Sequence, residues 1–223
     1  MNVIINADDF GKDEMTTLAI AESFRKGYIN QTTLMVNMPW TEKAVELAKR
    51  ESFADRVGLH LNLTESASGE KIPIPRGKVL CREIQSQIER FLSFSLPLKH
   101  CDSHHHVHFK PQVAVPLMPL LRQYGFESVR RPYNIDLGCS LGGLARHIRN
   151  GLFVSYANIN GLRMTKRFGG VPKDDCLEDL EIMVHPVRST NGELVNVERF
   201  DRVTGKPLYG RPMADLHGEI VAL

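Results

Sequence analysis

Seven consecutive residues, Asp102-Ser103-His104-His105-His106-Val107-His108, hold four of the nine histidines in the chain. His104 and His108 are spaced i, i+4, which on a helical turn brings two imidazoles to one side. On an irregular exit from a strand the same rings could splay, leaving one of them at a metal. Imidazole nitrogen beside aspartate oxygen suits a divalent first-row ion such as Zn²⁺, with coordination positions left for water. A second candidate group, Asp8-Asp9, follows a short apolar run near the start of the chain. Adjacent side chains on a strand point to opposite faces unless the chain kinks as it leaves the sheet. At such an exit one carboxylate can hold the ion while the other addresses the attacking water. Two neighbouring carboxylates repel, and a cation beside one keeps both ionised near neutral pH. The competing role for either aspartate is to cap the first helix.

Three more residues add chemistry, each with a plainer reading beside it. His60 is a ligand candidate or a core histidine. His185 follows Glu181-Ile182-Met183-Val184 and titrates in the range of a general acid, or is simply a ring held by backbone. Arg130, next to Arg131, is a clamp for an anion or hydroxyl, or half of a solvated pair. Asp9-Phe10-Gly11 also matches the metal-binding triplet of protein kinases. With only eight residues ahead of it, the glycine-rich loop, strand lysine and catalytic loop of a kinase have no room.

The elements that must present these residues alternate. Apolar β-rich runs at Asn2 to Asn6, Thr32 to Val36, Val57 to Leu63, Leu98 to Asp102, Ser128 to Arg131 and Glu181 to Val184 read as strands. Between them, Lys12 to Lys26, Thr41 to Arg50 (capped by Thr41), Glu83 to Phe94, Val113 to Tyr124 and Leu141 to Leu152 carry helical periodicity. Ser66 to Gly77 reads as a polar loop over one face. Strands alternating with helices predict a parallel sheet. Asp8, Asp9, His60, His104, Arg130 and His185 all fall at C-terminal strand ends, which converge on one face of a parallel barrel. The region after Ser189 is turn-rich and its elements are not assigned.

The 223 residues, 42% hydrophobic, suffice for a sizeable core. Twenty-eight basic against 26 acidic residues leave a net charge of +2, without the excess expected of a nucleic-acid protein. Cys81, Cys101, Cys139 and Cys176 are scattered and read as reduced thiols. The N-terminus shows no basic segment followed by an apolar one, and no apolar run approaches the roughly 20 residues that span a bilayer. A cytoplasmic location is the expectation.

Asn6-Ala7-Asp8-Asp9-Phe10-Gly11, Gly58-Leu59-His60-Leu61-Asn62-Leu63-Thr64, the histidine cluster and Met183-Val184-His185-Pro186 together resemble the YdjC-like carbohydrate deacetylases, which include chitooligosaccharide deacetylase. The resemblance runs from Met1 to about Pro186. It implies one α/β domain over residues 1–223, an irregular (β/α) barrel with parallel strands, related to NodB-type polysaccharide deacetylases. It implies a single divalent ion, Mg²⁺ or Zn²⁺, and removal of acetyl groups from N-acetylated sugars such as diacetylchitobiose in chitin breakdown. By position, Asp9, His60 and His104 match the metal ligands, Asp8 the base and His185 the acid. His108 is a candidate fourth ligand, and Arg130 and the 66–77 loop are candidate substrate contacts. A small oligosaccharide is the expected partner, with a homodimer as the candidate assembly and neither nucleic acid nor membrane. Val187 stands where the family usually has glycine, and the stretches 169–181 and after 188 are shorter than the family's. The alternatives are a non-catalytic sugar- or metal-binding barrel and a metal-dependent phosphoesterase.

Overall fold

The computed structural model describes residues 3–135, 141–171, 177–200 and 207–222. Its first strand, interior to the sheet, is β1 (Val3–Phe10), whose β-branched start favours extended backbone and which is buried from Ile5 onward. Burial on both faces is the environment of a parallel strand covered by helices. The chain continues through α1 (Glu14–Arg25), β2 (Gln31–Leu34), α2 (Thr41–Arg50) and β3 (Val57–Leu61). It then forms α3 (Gly77–Ser93), β4 (His100–Ser103), α4 (Pro111–Gln123), β5 (Ser128–Val129) and α5 (Leu141–Ile159). β6 (Arg167–Gly169) and β7 (Leu180–Val184) complete a seven-stranded sheet in the order β5-β4-β3-β2-β1-β7-β6, with every neighbouring pair parallel.

The sheet curls into an irregular barrel. Its outer strands do not share a ladder; the seam is bridged by the segment that leads into β6. Ser128 forms an isolated parallel bridge with Arg163, and the Val129 N–H donates to the Arg163 carbonyl at 3.0 Å. Farther along, the Asn134 N–H donates to the Phe168 carbonyl at 3.3 Å. The helices turn apolar stripes to the sheet: Ala44, Val45, Leu47 and Ala48 of α2, Leu80, Ile84, Ile88 and Phe91 of α3, and Val113, Leu117 and Leu121 of α4. A separate antiparallel sheet of β8 (Pro186–Arg188), β9 (Leu194–Phe200) and β10 (Pro207–Pro212) follows, then α6 (Met213–Ala222). β8 packs on α1, and α6 on β9 and β10. No helix among the described residues is long and apolar enough to cross a membrane.

Several boundaries differ from the sequence reading. α3 starts at Gly77 rather than Glu83, because Leu80 extends the apolar stripe one turn below Ile84. α5 runs on to Ile159. Thr41 does not cap α2: its hydroxyl lies against the carbonyls of Met35 and Met38, and Trp40 occupies the cap position without a side-chain bond. α1 is capped by Asp13, whose carboxylate accepts the Thr16 N–H at 2.8 Å, so that duty falls to neither Asp8 nor Asp9. Cys81 and Cys101 are free thiols, exposed and buried respectively; Cys139 and Cys176 lie outside the described residues.

The loop that follows Asp9 is fixed by a close approach. Gly11 has φ +84°, and a Cβ there would sit 2.9 Å from Leu34 Cδ1, 3.2 Å from the Met35 carbonyl oxygen and 3.3 Å from Thr41 Cα. Gly27, after α1, has φ +71° but nothing within 4 Å. Gly27→Ala should lose only the left-handed preference, about 1–2 kcal/mol. Gly11→Ala adds overpacking and should lose about 2–5 kcal/mol in all. Urea unfolding of both variants reads the difference, and equal losses would mean that the contact below Gly11 yields freely.

Candidate metal centre

Between Ala7↔Thr32 and Phe10↔Leu34 the register slips: three steps along β1 face two along β2. This bulge bends the strand where the two aspartates lie. Asp9 takes up φ 71°, a left-handed conformation that aspartate tolerates better than most residues but still at some strain. Strict alternation would part the two carboxylates; the bulge lets both reach the cluster around His60.

Asp9 Oδ1 is the meeting point of two imidazoles. His104 Nδ1 lies 2.8 Å from it and His60 Nε2 3.1 Å. The far nitrogen of each ring faces another carboxylate: His60 Nδ1 is 2.6 Å from Asp102 Oδ1, and His104 Nε2 is 2.9 Å from Glu65 Oε2. A carboxylate accepts but cannot donate, so with a cation beside Asp9 each would hold the N–H of its ring and leave the opposite nitrogen to the ion. Carboxylate–histidine pairs of this kind orient the ligands of a metal. His60 Nε2 is buried and, despite its closeness to Asp9, makes no aligned hydrogen bond. The ligand atoms of Asp9, His60 and His104 all lie within 4.8 Å of one another. An oxygen and two nitrogens converging, one of the nitrogens buried without a hydrogen-bond partner, fit a divalent cation.

Arg130, which follows β5, is completely buried. Nη1 and Nη2 donate to the two oxygens of Asp8 at 2.7 Å each, Nη2 also meets Asp102 Oδ2 at 2.8 Å, and Nε donates to Glu181 Oε1 at 2.6 Å. With its donors committed to carboxylates and no exposed surface, Arg130 is a positioning residue, not the substrate contact expected from sequence. The same guanidinium compensates the acids of the other two clusters, Asp8–His60–Asp102 and His100–Asp102–Glu181.

His108 is turned away. His105 and His106 have φ 53° and 52°, so the segment His104–Phe109 kinks and the i, i+4 relation is lost. The His108 ring hydrogen-bonds Ser103 Oγ and packs against Phe109 and Phe153. It joins none of the metal-capable clusters among the described residues. His185 follows β7, where Val184 pairs with Ala7, so it sits level with Asp8 on the neighbouring strand. Its backbone is pinned by β9: the His185 N–H donates to Asn196 Oδ1 at 2.8 Å, and its carbonyl accepts from Val197 at 3.0 Å.

Charge follows from these contacts. Burial pushes the Asp8 carboxyl up, but Arg130 more than offsets it and holds the group well below the usual carboxylate range. Asp9 is also held well below that range, its burial outweighed by His104 and His60. Burial pushes the His60 ring down, yet Asp102 and Asp9 outweigh it and raise the ring to about 10. His104 is raised for the same reason, by Asp9 and Glu65. Burial lowers His185, with Asp8 opposing.

Sequence reasoning missed Glu65 and the supporting roles of Asp102 and Glu181. Glu65 lies in the polar loop after β3, and its signal is Asn62 three residues earlier. The Asn62 side chain accepts from the Thr64 and Glu65 N–H groups at 3.2 and 3.1 Å, a turn that asparagine builds locally.

A family model described as YdjC-like protein matches residues 2–205. Carbohydrate deacetylases from Brevibacillus brevis and Geobacillus stearothermophilus are 37% and 39% identical to the chain, over 56% and 54% of it. The matches cover 57% and 56% of those proteins, so the chain spans about half the length of these relatives. One from Vibrio campbellii is 30% identical over 67% of the chain and 72% of its own length. In solved structures, a candidate cellobiose-phosphate cleavage protein from Enterococcus faecalis shares the fold. Its TM-score is 0.60 at 20% identity, over 85% of this chain and 82% of that one.

The shifted groups set opposite pH limits on the metal-free protein. His60 is raised, so its contribution to stability is complete below its ordinary 6.5 and is lost as pH rises through about 10. Asp8 and Asp9 are lowered, so theirs is present above 3.8 and lost as pH falls further. The melting temperature of chelated protein should therefore fall between pH 7 and 10. A divalent ion needs unprotonated rings, so the stabilisation it adds should grow over the same interval. Thermal melts with chelator and with added ion check both slopes; parallel curves would mean that the ion binds elsewhere.

Proposed function

The chain belongs to the YdjC-like protein family, and we propose that it is a metal-dependent hydrolase removing acetyl groups from N-acetylated carbohydrates, chitooligosaccharides such as diacetylchitobiose among them. The reading is carried by the meeting of His60 and His104 on one oxygen of Asp9, each ring backed by a carboxylate. The carbohydrate deacetylases among its relatives support the substrate class.

A divalent ion, Mg²⁺ or Zn²⁺, held by Asp9, His60 and His104 would supply Lewis-acid polarisation of the acetyl carbonyl and acidify water beside it. Asp8 takes the proton from the attacking water. Its two oxygens are fixed by Arg130, which sets the direction of the carboxylate and keeps it ionised until that moment. His185, lowered by burial and standing level with Asp8, is neutral at rest and can receive this proton. It then donates to the departing sugar nitrogen, so that one water and one amide become acetate and a free amine with Asp8 and His185 restored. The loop after β3 stands on the same side and offers hydroxyl and charged groups to the sugar.

The two aspartates separate under mutation. Asp8→Asn removes the base and should cut kcat by roughly 10² or more, with ion binding retained. Asp9→Asn should weaken ion binding, because an amide is a poorer ligand than a carboxylate, and excess ion should restore part of its activity. Acetate release from diacetylchitobiose measures both variants, beside phosphate release from a generic ester. Phosphate release without acetate would make the protein a phosphoesterase, and neither product would leave a binding protein.

A further inference from the structure

The ligand His104 has no regular helix to set its direction, since the next two residues are left-handed. What holds its ring comes from elsewhere. Resting on the metal reading above, we propose that Glu65 is the positioning residue of this centre: its carboxylate takes the His104 Nε2–H and leaves the Nδ1 lone pair for the ion.

The distances carry this assignment. His104 Nε2 is 2.9 Å from Glu65 Oε2, while Nδ1 is 2.8 Å from Asp9 Oδ1. With a cation on Nδ1 the imidazole is neutral, so its one N–H sits on Nε2, where the Glu65 carboxylate accepts it. Glu65 stands behind the ring and is absent from the cluster of Asp9, His60 and His104, which marks it as a support and not a fourth ligand. It is also held. Besides accepting the Glu65 N–H, the Asn62 side chain donates to the Glu65 carbonyl at 2.7 Å. Asn62 is clasped by buried Gln87 of α3, which accepts the Asn62 N–H at 2.9 Å and donates to its carbonyl at 2.6 Å. On the other flank, Lys12 Nζ lies 3.0 Å from Glu65 Oε2 and balances its charge. A continuous line thus runs from α3 through Asn62 and Glu65 to His104. The neighbouring residues make a parallel contact, Thr64 Oγ1 lying 2.9 Å from His105 Nδ1.

His60 is supported in the same way by Asp102, but from a barrel strand. His104 alone of the two rings is supported from a loop, so the segment after β3 sets the geometry of the centre as well as lining its mouth.

Two substitutions separate reach from charge. Glu65→Asp keeps the charge and draws the carboxylate back by one carbon; Glu65→Gln loses the charge and keeps an acceptor oxygen at full reach. Zn²⁺ is titrated calorimetrically into chelator-stripped wild type and both variants. Glu65→Asp should bind about 10–100-fold more weakly, the usual loss when the support of a ligand is removed, and Glu65→Gln by less than about tenfold. In the Zn²⁺-loaded protein, ¹⁵N-histidine spectra should show His104 with its proton on Nε2 in wild type and Glu65→Gln, and a mixture of forms in Glu65→Asp. The reverse order of affinities, or wild-type affinity and an unmixed His104 signal in Glu65→Asp, would overturn the positioning role. If wild type itself takes up no Zn²⁺, the metal reading fails first; if it does and the variants match it, only the role of Glu65 fails.

Discussion

The barrel is built around a cation that cannot leave. Arg130 lies fully buried among Asp8, Asp102 and Glu181, carboxylates from strands β1, β4 and β7. Three anions in a low-dielectric interior would be expelled or protonated without it, and an arginine fork answers them with directional, charge-assisted bonds. The interior therefore has to close on the guanidinium for these strands to pack together at all. Because the two oxygens of Asp8 are gripped by separate nitrogens, the strand that carries both aspartates is also held in rotation about its axis.

That constraint reaches the metal side through Asp102. One of its oxygens meets Arg130 and the other meets His60 Nδ1, with Thr33 Oγ1 donating to the first at 3.0 Å. The order Glu181–Arg130–Asp102–His60–Asp9 crosses the barrel as a chain of alternating charge. Ligand geometry and barrel closure are thus two results of one set of contacts. The strain at Asp9, a non-glycine residue at φ 71°, sits at the end of this chain, where His60 and His104 oppose its relaxation.

Much of this was legible in the sequence, for a physical reason. Parallel strands buried on both faces are written as apolar runs, so a run that stops at aspartate or histidine announces a strand end facing the mouth. Asp8, Asp9, His60, His104 and His185 were found in this way. What the sequence hides is the path of the chain between such ends. The left-handed turn at His105 and His106 has no compositional mark, and it sends His108 into an aromatic pocket. Arg130 and Arg131 read alike as letters, but the first is sealed in the barrel while the Arg131 side chain reaches the Thr165 carbonyl at 3.0 Å. Glu65 depends on a turn folded back by Asn62, a relation of shape and not of periodicity. β8 has three residues, β8 and β10 begin at prolines, and β9 mixes polar with apolar residues, so none of them shows the unbroken apolar run that reveals the first sheet.

The seam beside β5 gives the barrel two unlike halves. From β1 to β4 each strand is laddered to the next, interrupted by the bulge at the two aspartates, and Asp9, His60 and His104 all stand at the ends of these strands. Between β5 and β6 the closure among the described residues is one bridge and a few bonds from Arg131, Asn134 and Val129. Such a cylinder is stiff along one arc and compliant along the other. The residues that converge on Asp9 thus stand on the arc whose strands are joined by ladders, and the thinly bonded seam, near Tyr133 and Phe168, lies away from them.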